Sequence, residues 1–285
     1  MKPASGWISE KWENVEVRYR VKSLLLEEDT GFQHLQILET HEYGKMLLLD
    51  GIVQATEKDE FIYHEMMVHV PMLSHPVPRK VLIIGGGDGG ILREVLRYST
   101  VMECTIVEID PAVVELCKEY LPGLSMGAFD DDRTELFIQD GAAFVRETDK
   151  KFDVIIVDSP DPIGPASVLF SKEFYVDLRN LLDARGIMVR QTGSVHMQHR
   201  EQETAYVLLK ELFAFTAFYV YCVPTYIGGL FSTLFCSNEI NPLEIGSPLL
   251  HEKLSRNPIE PLLYYNPGIH IGAFHIPNML RGRLP

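Results

Sequence analysis

The chain has 285 residues, of which 46% are hydrophobic and 23% are charged. This length fits one large α/β domain, or a large domain joined to a smaller one, and the composition excludes a disordered chain. The formal charge of −14 argues against a nucleic-acid partner and favours a cationic ligand.

The sequence predicts a cytoplasmic protein. Residues 1–14 lack the apolar core of a signal peptide, and the longest nearly apolar run, at 213–223, is too short to span a bilayer. The four cysteines show neither CxxC spacing nor the density of a disulfide framework, which predicts buried thiols in a reducing compartment.

Residues 1–56 have the pattern of a small antiparallel β domain without helices. Apolar and charged side chains alternate in its first strand, and Asp50-Gly51 makes a tight turn between its last two. The expected strands lie at residues 15–21, 35–38, 46–49 and 52–54.

Residues 57–285 have the pattern of a doubly wound α/β domain, because short apolar runs alternate with amphipathic segments. The expected strands lie at residues 81–84, 105–109, 135–138, 154–157, 187–189, 218–223 and 231–235. The expected helices lie at residues 59–73, 91–98, 112–120, 172–182 and 201–213.

The hexapeptide GGGDGG follows the first apolar run of this domain and precedes a helix. It matches the nucleotide-binding pattern GxGxxG through Gly85, Gly87 and Gly90. Asp88 within the loop would repel a pyrophosphate. The loop therefore favours a nucleoside with a cationic tail, such as an S-adenosyl compound, over NAD.

Further carboxylates follow the next two apolar runs. Glu108 lies where a residue that binds ribose hydroxyls is expected, whereas Asp110 before Pro111 has the pattern of a helix cap. Asp140-Gly141 fits either a contact to the adenine amino group or a plain turn.

The segment DSPDPIGPA begins at the end of a central strand. Asp158 and Asp161 are three residues apart between stiffening prolines, which indicates an anionic pocket, although a solvated turn has the same pattern. A carboxylate beside a bound amine can position the amine and accept its proton. His196 and His199 have no fixed third ligand, so we expect no metal site.

Several motifs together resemble the polyamine aminopropyltransferases, the spermidine synthases. The resemblance runs from about Trp7 to the tail at 264–270, and the motifs are LLLDGIVQ, TEKDEFIYHEM, GGGDGG, VEID, QDG, DSPDPIGPA and VPTY. It implies a small β domain joined to a Rossmann-like, methyltransferase-type domain, assembled as a homodimer or homotetramer.

The resemblance implies transfer of the 3-aminopropyl group of decarboxylated S-adenosylmethionine to a diamine, with release of 5′-methylthioadenosine. In this reading Asp158 is the general base, with Tyr63 beside it. The implied nucleoside contacts are Gln33 and Asp88 at the tail, Glu108 at the ribose, Asp140 and Gly141 at the adenine, and Gly85, Gly87, Asp158 and Pro165. The implied diamine contacts are Asp88, Asp158 and Tyr63, with Asp161 and Tyr226 as anchors, His64 and Gln191 in the lining and Trp7 as a cap.

The implied chemistry requires neither a metal nor a cofactor, since a sulfonium is already a good leaving group and the donor is a co-substrate. Asp88 would also reject ordinary S-adenosylmethionine by repelling its carboxylate. Pro160 and the segment 192–196 depart from the family pattern near the acceptor pocket. Putrescine is the expected acceptor; cadaverine, agmatine and longer polyamines stay open.

Three other functions fit parts of the pattern. A methyltransferase shares the glycine loop, but it gives no reason for Asp88 or for the pair of Asp158 and Asp161. A NAD-dependent oxidoreductase depends on GxGxxG alone. A non-catalytic polyamine-binding module would keep the acidic pocket but would need no nucleoside site.

Overall fold

The computed structural model describes residues 6–158, 171–257, 259 and 261–284. These residues form an N-terminal sheet of five strands and a central sheet of seven. The strands are β1 (Gly6–Trp12), β2 (Val15–Asp29), β3 (His34–Thr40), β4 (Lys45–Leu49), β5 (Ile52–Thr56), β6 (Lys80–Gly85), β7 (Glu103–Glu108), β8 (Thr134–Ile138), β9 (Phe152–Asp158), β10 (Leu182–Ser194), β11 (Phe215–Cys222) and β12 (Leu230–Ser237).

Helices pack on both faces of the central sheet. They are α1 (Glu60–Ser74), α2 (Gly90–Leu96), α3 (Pro111–Tyr120), α4 (Pro122–Ser125), α5 (Gly141–Glu147), α6 (Lys172–Leu181), α7 (His199–Leu212), α8 (Ser247–Arg256), α9 (Pro267–Ala273) and α10 (Asn278–Arg281). Short 3₁₀ turns lie at Ala128–Asp130 and Pro242–Glu244.

The N-terminal sheet is an antiparallel meander with strand order β1-β2-β3-β4-β5. One face contributes Ile37 and Leu47 to a core shared with Val113 of α3, and the other face buries Met46 and Leu48 in a separate core. Because both faces are covered, consecutive residues of β4 are apolar instead of alternating with polar ones.

The central sheet has the order β11-β12-β10-β9-β6-β7-β8. The five strands β10, β9, β6, β7 and β8 are parallel to one another. Strand β12 is antiparallel to both of its neighbours, β10 and β11. Val81 and Ile83 pack into the core beneath α1 and α2, whereas Leu82 and Ile84 pack into the core beneath α5 and α6. The predicted doubly wound α/β fold is confirmed.

Several elements differ from the sequence prediction. Strand β1 and helices α4, α5, α8, α9 and α10 were not expected, and β10 is longer than the apolar run at 187–189. Cys222 is exposed at the end of β11, so the prediction of buried cysteines is wrong there, whereas Cys104, Cys117 and Cys236 are buried. Within the described ranges, no helix is long and apolar enough to cross a membrane.

Candidate active site

Four carboxylates gather at one edge of the central sheet. Asp88 follows β6, Glu108 ends β7, Asp140 follows β8 and Asp158 ends β9. Gly85, the last residue of β6, is directly opposite Asp158 on β9. The chain leaves β6 for β7 on one side and returns as β9 on the other, and ligands of open α/β sheets bind at such a reversal of strand order.

Close contacts explain two glycines of the GGGDGG loop. A Cβ on Gly87 would lie 2.8 Å from Oε2 of Glu108, and a Cβ on Gly90 would overlap the ring of His64. The loop therefore needs glycine partly because other side chains of this chain pack against it.

Glu108 is a buried acceptor held in place by the backbone. Its Oε2 accepts a hydrogen bond from the N–H of Gly87 at 3.1 Å, and its Oε1 accepts from Ile109 and Asp110 at 2.8 and 3.0 Å. Burial raises the pKa of Glu108 to about 7, although these N–H groups oppose the shift. A carboxylate fixed in this way presents its remaining lone pairs in a defined direction, as a ribose diol requires.

Asp110 caps α3, as expected, and also holds the loop that carries Gln33. Its Oδ1 accepts from the N–H of Ala112 at 3.0 Å. Its Oδ2 accepts from Nε2 of Gln33 at 2.9 Å and from the hydroxyl of Thr30 at 2.7 Å. Gln33 therefore contacts Asp110, which follows Glu108 by two residues in the chain, and its contact with the tail of the nucleoside stays a prediction.

Asp158 and Tyr63 form a buried pair, because the phenol of Tyr63 donates a hydrogen bond to Oδ1 of Asp158. Burial and the nearby charge of Asp88 raise the pKa of Asp158 to about 6, despite opposing contributions from Tyr63 and His64. Burial and the charge of Asp158 raise the pKa of Tyr63 well above its usual value. Tyr63 therefore stays protonated and donates, while Asp158 is the acceptor.

Asp88 has a buried histidine as its neighbour. Nε2 of His64 lies 3.5 Å from Oδ2 of Asp88, and Nδ1 of His64 bonds Glu60 one helical turn earlier in α1. Burial alone would raise the pKa of Asp88, but His64 and the N–H of Gly90 outweigh it and hold the pKa below its usual value. Asp88 and Asp158 therefore differ, since Asp88 is the stronger acid and Asp158 is the better proton acceptor.

Aromatic rings surround Tyr63. The ring centroids of His64, Tyr221, Tyr226 and Phe231 lie 5.5, 6.3, 5.5 and 5.8 Å, respectively, from that of Tyr63. The hydroxyl of Tyr226 donates to the backbone oxygen of Gln54 at 2.7 Å, and its oxygen can still accept from an ammonium group.

The segment around Tyr226 is fixed by buried hydrogen bonds from two other elements. Asp59, before α1, accepts from the N–H and hydroxyl of Thr225 at 2.9 and 3.0 Å. Tyr19 of β2 donates to the backbone oxygen of Thr225 at 2.7 Å. The N-terminal sheet therefore helps to build one wall of the site.

The remaining predicted residues fall into three groups. Asp140 caps α5 by accepting from Ala143 at 2.9 Å, so a structural reason for this residue is established while its contact with adenine stays a prediction. Gln191 follows Arg190, which pairs with Val157, so it lies at the same end of the sheet as Asp158. Asp161 and Pro165 lie outside the described residues, as does the departure at Pro160.

Trp7 is not brought to this edge of the sheet. It is opposite Arg20 in β1 and β2, on the other face from Tyr19, and its ring is 58% exposed with the guanidinium of Arg18 at 5.8 Å. A single chain therefore gives no support to Trp7 as a cap over the diamine.

Sequence reasoning missed Glu60, Arg93, Asp59 and Tyr19. The pairing of Glu60 with His64 had a signal, since residues four apart on a helix are neighbours. The others act through contacts between distant elements, which no local motif indicates. No group of three or more His, Cys, Asp or Glu in the described part of the chain could hold a metal ion.

Both parts of the chain match known protein families. The Spermine/spermidine synthase domain matches residues 60–244, and the Spermidine synthase tetramerisation domain matches residues 6–57. The polyamine aminopropyltransferase of Pseudomonas syringae pv. tomato is 48% identical over 260 residues, which are 91% of each chain. Polyamine aminopropyltransferase 1 of Pseudomonas aeruginosa is 48% identical over 271 residues, also 91% of each chain.

Solved structures agree over the whole length. A spermidine synthase in complex with the transition-state analogue AdoDATO has a TM-score of 0.94 and 37% identity, covering 100% of this chain and 96% of the other. The Thermotoga maritima spermidine synthase has a TM-score of 0.90 and 36% identity, with 100% and 95% covered.

The strand order defines a Rossmann-like, methyltransferase-type fold, and the relatives that share it place the chain among the transferases. More particularly, the chain belongs to the spermine/spermidine synthase family, the polyamine aminopropyltransferases.

Proposed function

We propose that this transferase moves the 3-aminopropyl group of decarboxylated S-adenosylmethionine to putrescine, giving spermidine and 5′-methylthioadenosine. The observation that carries the proposal is the unequal pair of carboxylates, Asp88 and Asp158, at the reversal of strand order. Membership of the family supports the reaction class, and the solved relative that binds AdoDATO supports a site shared by a nucleoside and an amine.

Asp88 suits the tail of the donor. Its low pKa keeps it ionised, so it attracts the ammonium of the aminopropyl group and repels the carboxylate that ordinary S-adenosylmethionine carries. We assign the ribose hydroxyls to Glu108 at the end of β7 and the adenine to Asp140, which follows β8. Together these residues orient the methylene carbon next to the sulfonium.

Asp158 suits the role of general base. The attacking amine must lose a proton, because an ammonium has no lone pair for nucleophilic attack. The neutral nitrogen then forms a bond to the methylene carbon while the carbon–sulfur bond breaks, and the electron pair of that bond stays on sulfur as a neutral thioether. The reaction needs alignment and one proton acceptor, and neither a metal nor a cofactor.

The acceptor pocket combines acids with aromatic rings. Tyr226 and Phe231 beside Tyr63 offer apolar surface to a methylene chain, and aromatic faces also attract ammonium groups. A diamine with one amine at Asp158 and a distal ammonium at Tyr226 fits this arrangement. The role of Asp161 as a second anchor rests on the family resemblance alone. We also infer assembly into a homodimer or homotetramer, supported by the match of residues 6–57 to the tetramerisation domain.

Product analysis tests the acceptor. The protein is incubated with decarboxylated S-adenosylmethionine and an equimolar mixture of ¹³C-labelled putrescine and unlabelled cadaverine, agmatine and spermidine. The products are identified by mass spectrometry, in which labelled spermidine is distinct from the spermidine that was added. We expect methylthioadenosine and spermidine as the main pair. A different aminopropylated product would identify another amine as the acceptor. Methylthioadenosine without any aminopropylated product would contradict transfer.

The pH dependence should report Asp158. Because the base works only when deprotonated, kcat/KM is expected to fall as the pH drops through about 6. Tyr63→Phe removes a hydrogen bond that stabilises the carboxylate, so this limb should move to higher pH. Tyr221→Phe is the matched control, because the Tyr221 hydroxyl bonds Thr233 instead. The wild-type protein and the two variants use the same amine, so its own ionisation affects all three pH profiles equally. An acid limb at the same pH in all three proteins would therefore contradict Asp158 as the base.

A further inference from the structure

We propose that Glu60 is a positioning residue that holds His64 as the cationic partner of Asp88 and thereby leaves Asp158 as the carboxylate that exchanges protons. The effect on turnover rests on the proposed function, whereas the ionisation of His64 can be measured without it.

The two carboxylates around the ring favour a charged imidazolium. Both nitrogens of His64 face carboxylates, Nδ1 towards Glu60 and Nε2 towards Asp88 at 3.5 Å. A neutral imidazole donates from one nitrogen and carries a lone pair on the other, which would point at an anion. Only the imidazolium can donate in both directions.

Glu60 is itself fixed. Arg93 of α2 grips both oxygens of Glu60, with Nη1 and Nη2 at 2.9 and 3.0 Å. The same guanidinium donates to Oε1 of Glu94 at 2.8 Å and to the backbone oxygen of Leu124 at 2.7 Å. A bidentate contact of this kind sets the direction of a carboxylate as well as its charge.

The ring of His64 is held on its faces and edges too. Gly90 contacts it so closely that a Cβ there would overlap it, and the ring of Tyr63 is edge-on with a centroid distance of 5.5 Å. The side chain of His64 is 2% exposed. The histidine is therefore buried beside Asp88, and its place in the lining of the diamine pocket stays a prediction.

The charges around His64 explain why the two acids of the site differ. Glu60 and the ring of Tyr63 contact it from α1, and Asp88 lies beside it in the loop before α2. The charge of Asp158 at the end of β9 acts on it, and Arg93 bonds Glu60. Burial would lower the pKa of His64, but Asp88 and Glu60 outweigh it and raise the pKa to about 10. A carboxylate beside a fixed cation stays ionised, so a shared proton goes to the other acid, Asp158.

Nuclear magnetic resonance of the ligand-free protein with ¹⁵N-labelled histidine tests the charge. The His64 signal is assigned by its loss in His64→Gln. We expect both ring nitrogens of wild-type His64 to show imidazolium shifts at pH 8, and the titration of His64 to move to lower pH in Glu60→Gln. Neutral His64 in the wild-type protein at pH 8 would overturn the proposal, whether or not the variant folds.

Kinetics separate positioning from structural support. With His64 less charged, the acid limb of the kcat/KM profile of Glu60→Gln should move to higher pH. At a fixed pH on the acid side, kcat/KM should then fall roughly tenfold for each pH unit by which the limb moves. Glu60→Asp should recover part of the shift. Glu94→Gln is the matched control, since Glu94 also accepts a hydrogen bond from Arg93 but its other oxygen bonds His69, not His64. An unmoved limb in Glu60→Gln, or an equal movement in Glu94→Gln, contradicts the proposal. If no aminopropyl transfer is detected, the resonance experiment still decides the charge of His64.

Discussion

Replacing Asp158 with asparagine is expected to lower kcat by roughly 10²- to 10⁴-fold, the usual contribution of a general base. Asparagine has the same shape and can still accept the hydrogen bond of Tyr63 through its oxygen, but it cannot take a proton at neutral pH. Steady-state formation of methylthioadenosine measures the loss, and calorimetric titration with the donor checks that the site still binds.

Asp153→Asn is the matched control for this variant. Asp153 lies near the start of the same strand and accepts from the N–H groups of Arg79 and Lys80 at 2.7 and 2.9 Å. Asparagine can keep those bonds, so activity should stay close to the wild-type value. Turnover of Asp158→Asn within threefold of wild type would show that another group accepts the proton.

Replacing Glu65 with alanine is expected to lower the free energy of unfolding by about 2–4 kcal/mol, since it leaves one buried and two partly buried backbone donors without an acceptor. The carboxylate of Glu65 is buried in α1 and accepts from the N–H groups of Leu263, Tyr264 and Tyr265 at 2.8, 2.9 and 2.7 Å. It thus ties the C-terminal segment to the helix that carries Tyr63. Urea unfolding followed by circular dichroism measures the change.

Glu42→Ala provides the comparison for Glu65→Ala. Glu42 is exposed and pairs with Lys58 at the surface, so its loss should change stability by less than about 1 kcal/mol. Equal effects of the two variants would mean that the three hydrogen bonds of Glu65 contribute nothing specific.

The central sheet could be predicted because its strands are buried on both faces. Residues 81–84 and 154–157 are continuously apolar, and the structure shows alternate residues of each run in the two cores. Strand β1 gave no such signal, since its buried residue is Glu10 while Trp7 faces solvent. Helix α5 was missed because Asp140-Gly141, its cap and first residue, has the same sequence as a turn.

The site could be predicted where its residues end strands and not where distant elements meet. Glu108 and Asp158 follow apolar runs, and parallel strands bring their carboxyl ends to one edge. The bond from Arg93 to Glu60 and the bond from Tyr19 to Thr225 join residues 33 and 206 positions apart, which neither spacing nor composition reveals. In this account the first contact helps to keep Asp88 ionised through His64, and the second fixes the position of the segment that carries Tyr226.

The most direct test of aminopropyl transfer compares two donors in parallel reactions with putrescine. Decarboxylated S-adenosylmethionine is expected to give methylthioadenosine and spermidine in equal amounts, and S-adenosylmethionine is expected to give neither. Formation of S-adenosylhomocysteine and a methylated amine from S-adenosylmethionine, with no methylthioadenosine from the decarboxylated donor, would contradict the account and indicate a methyltransferase.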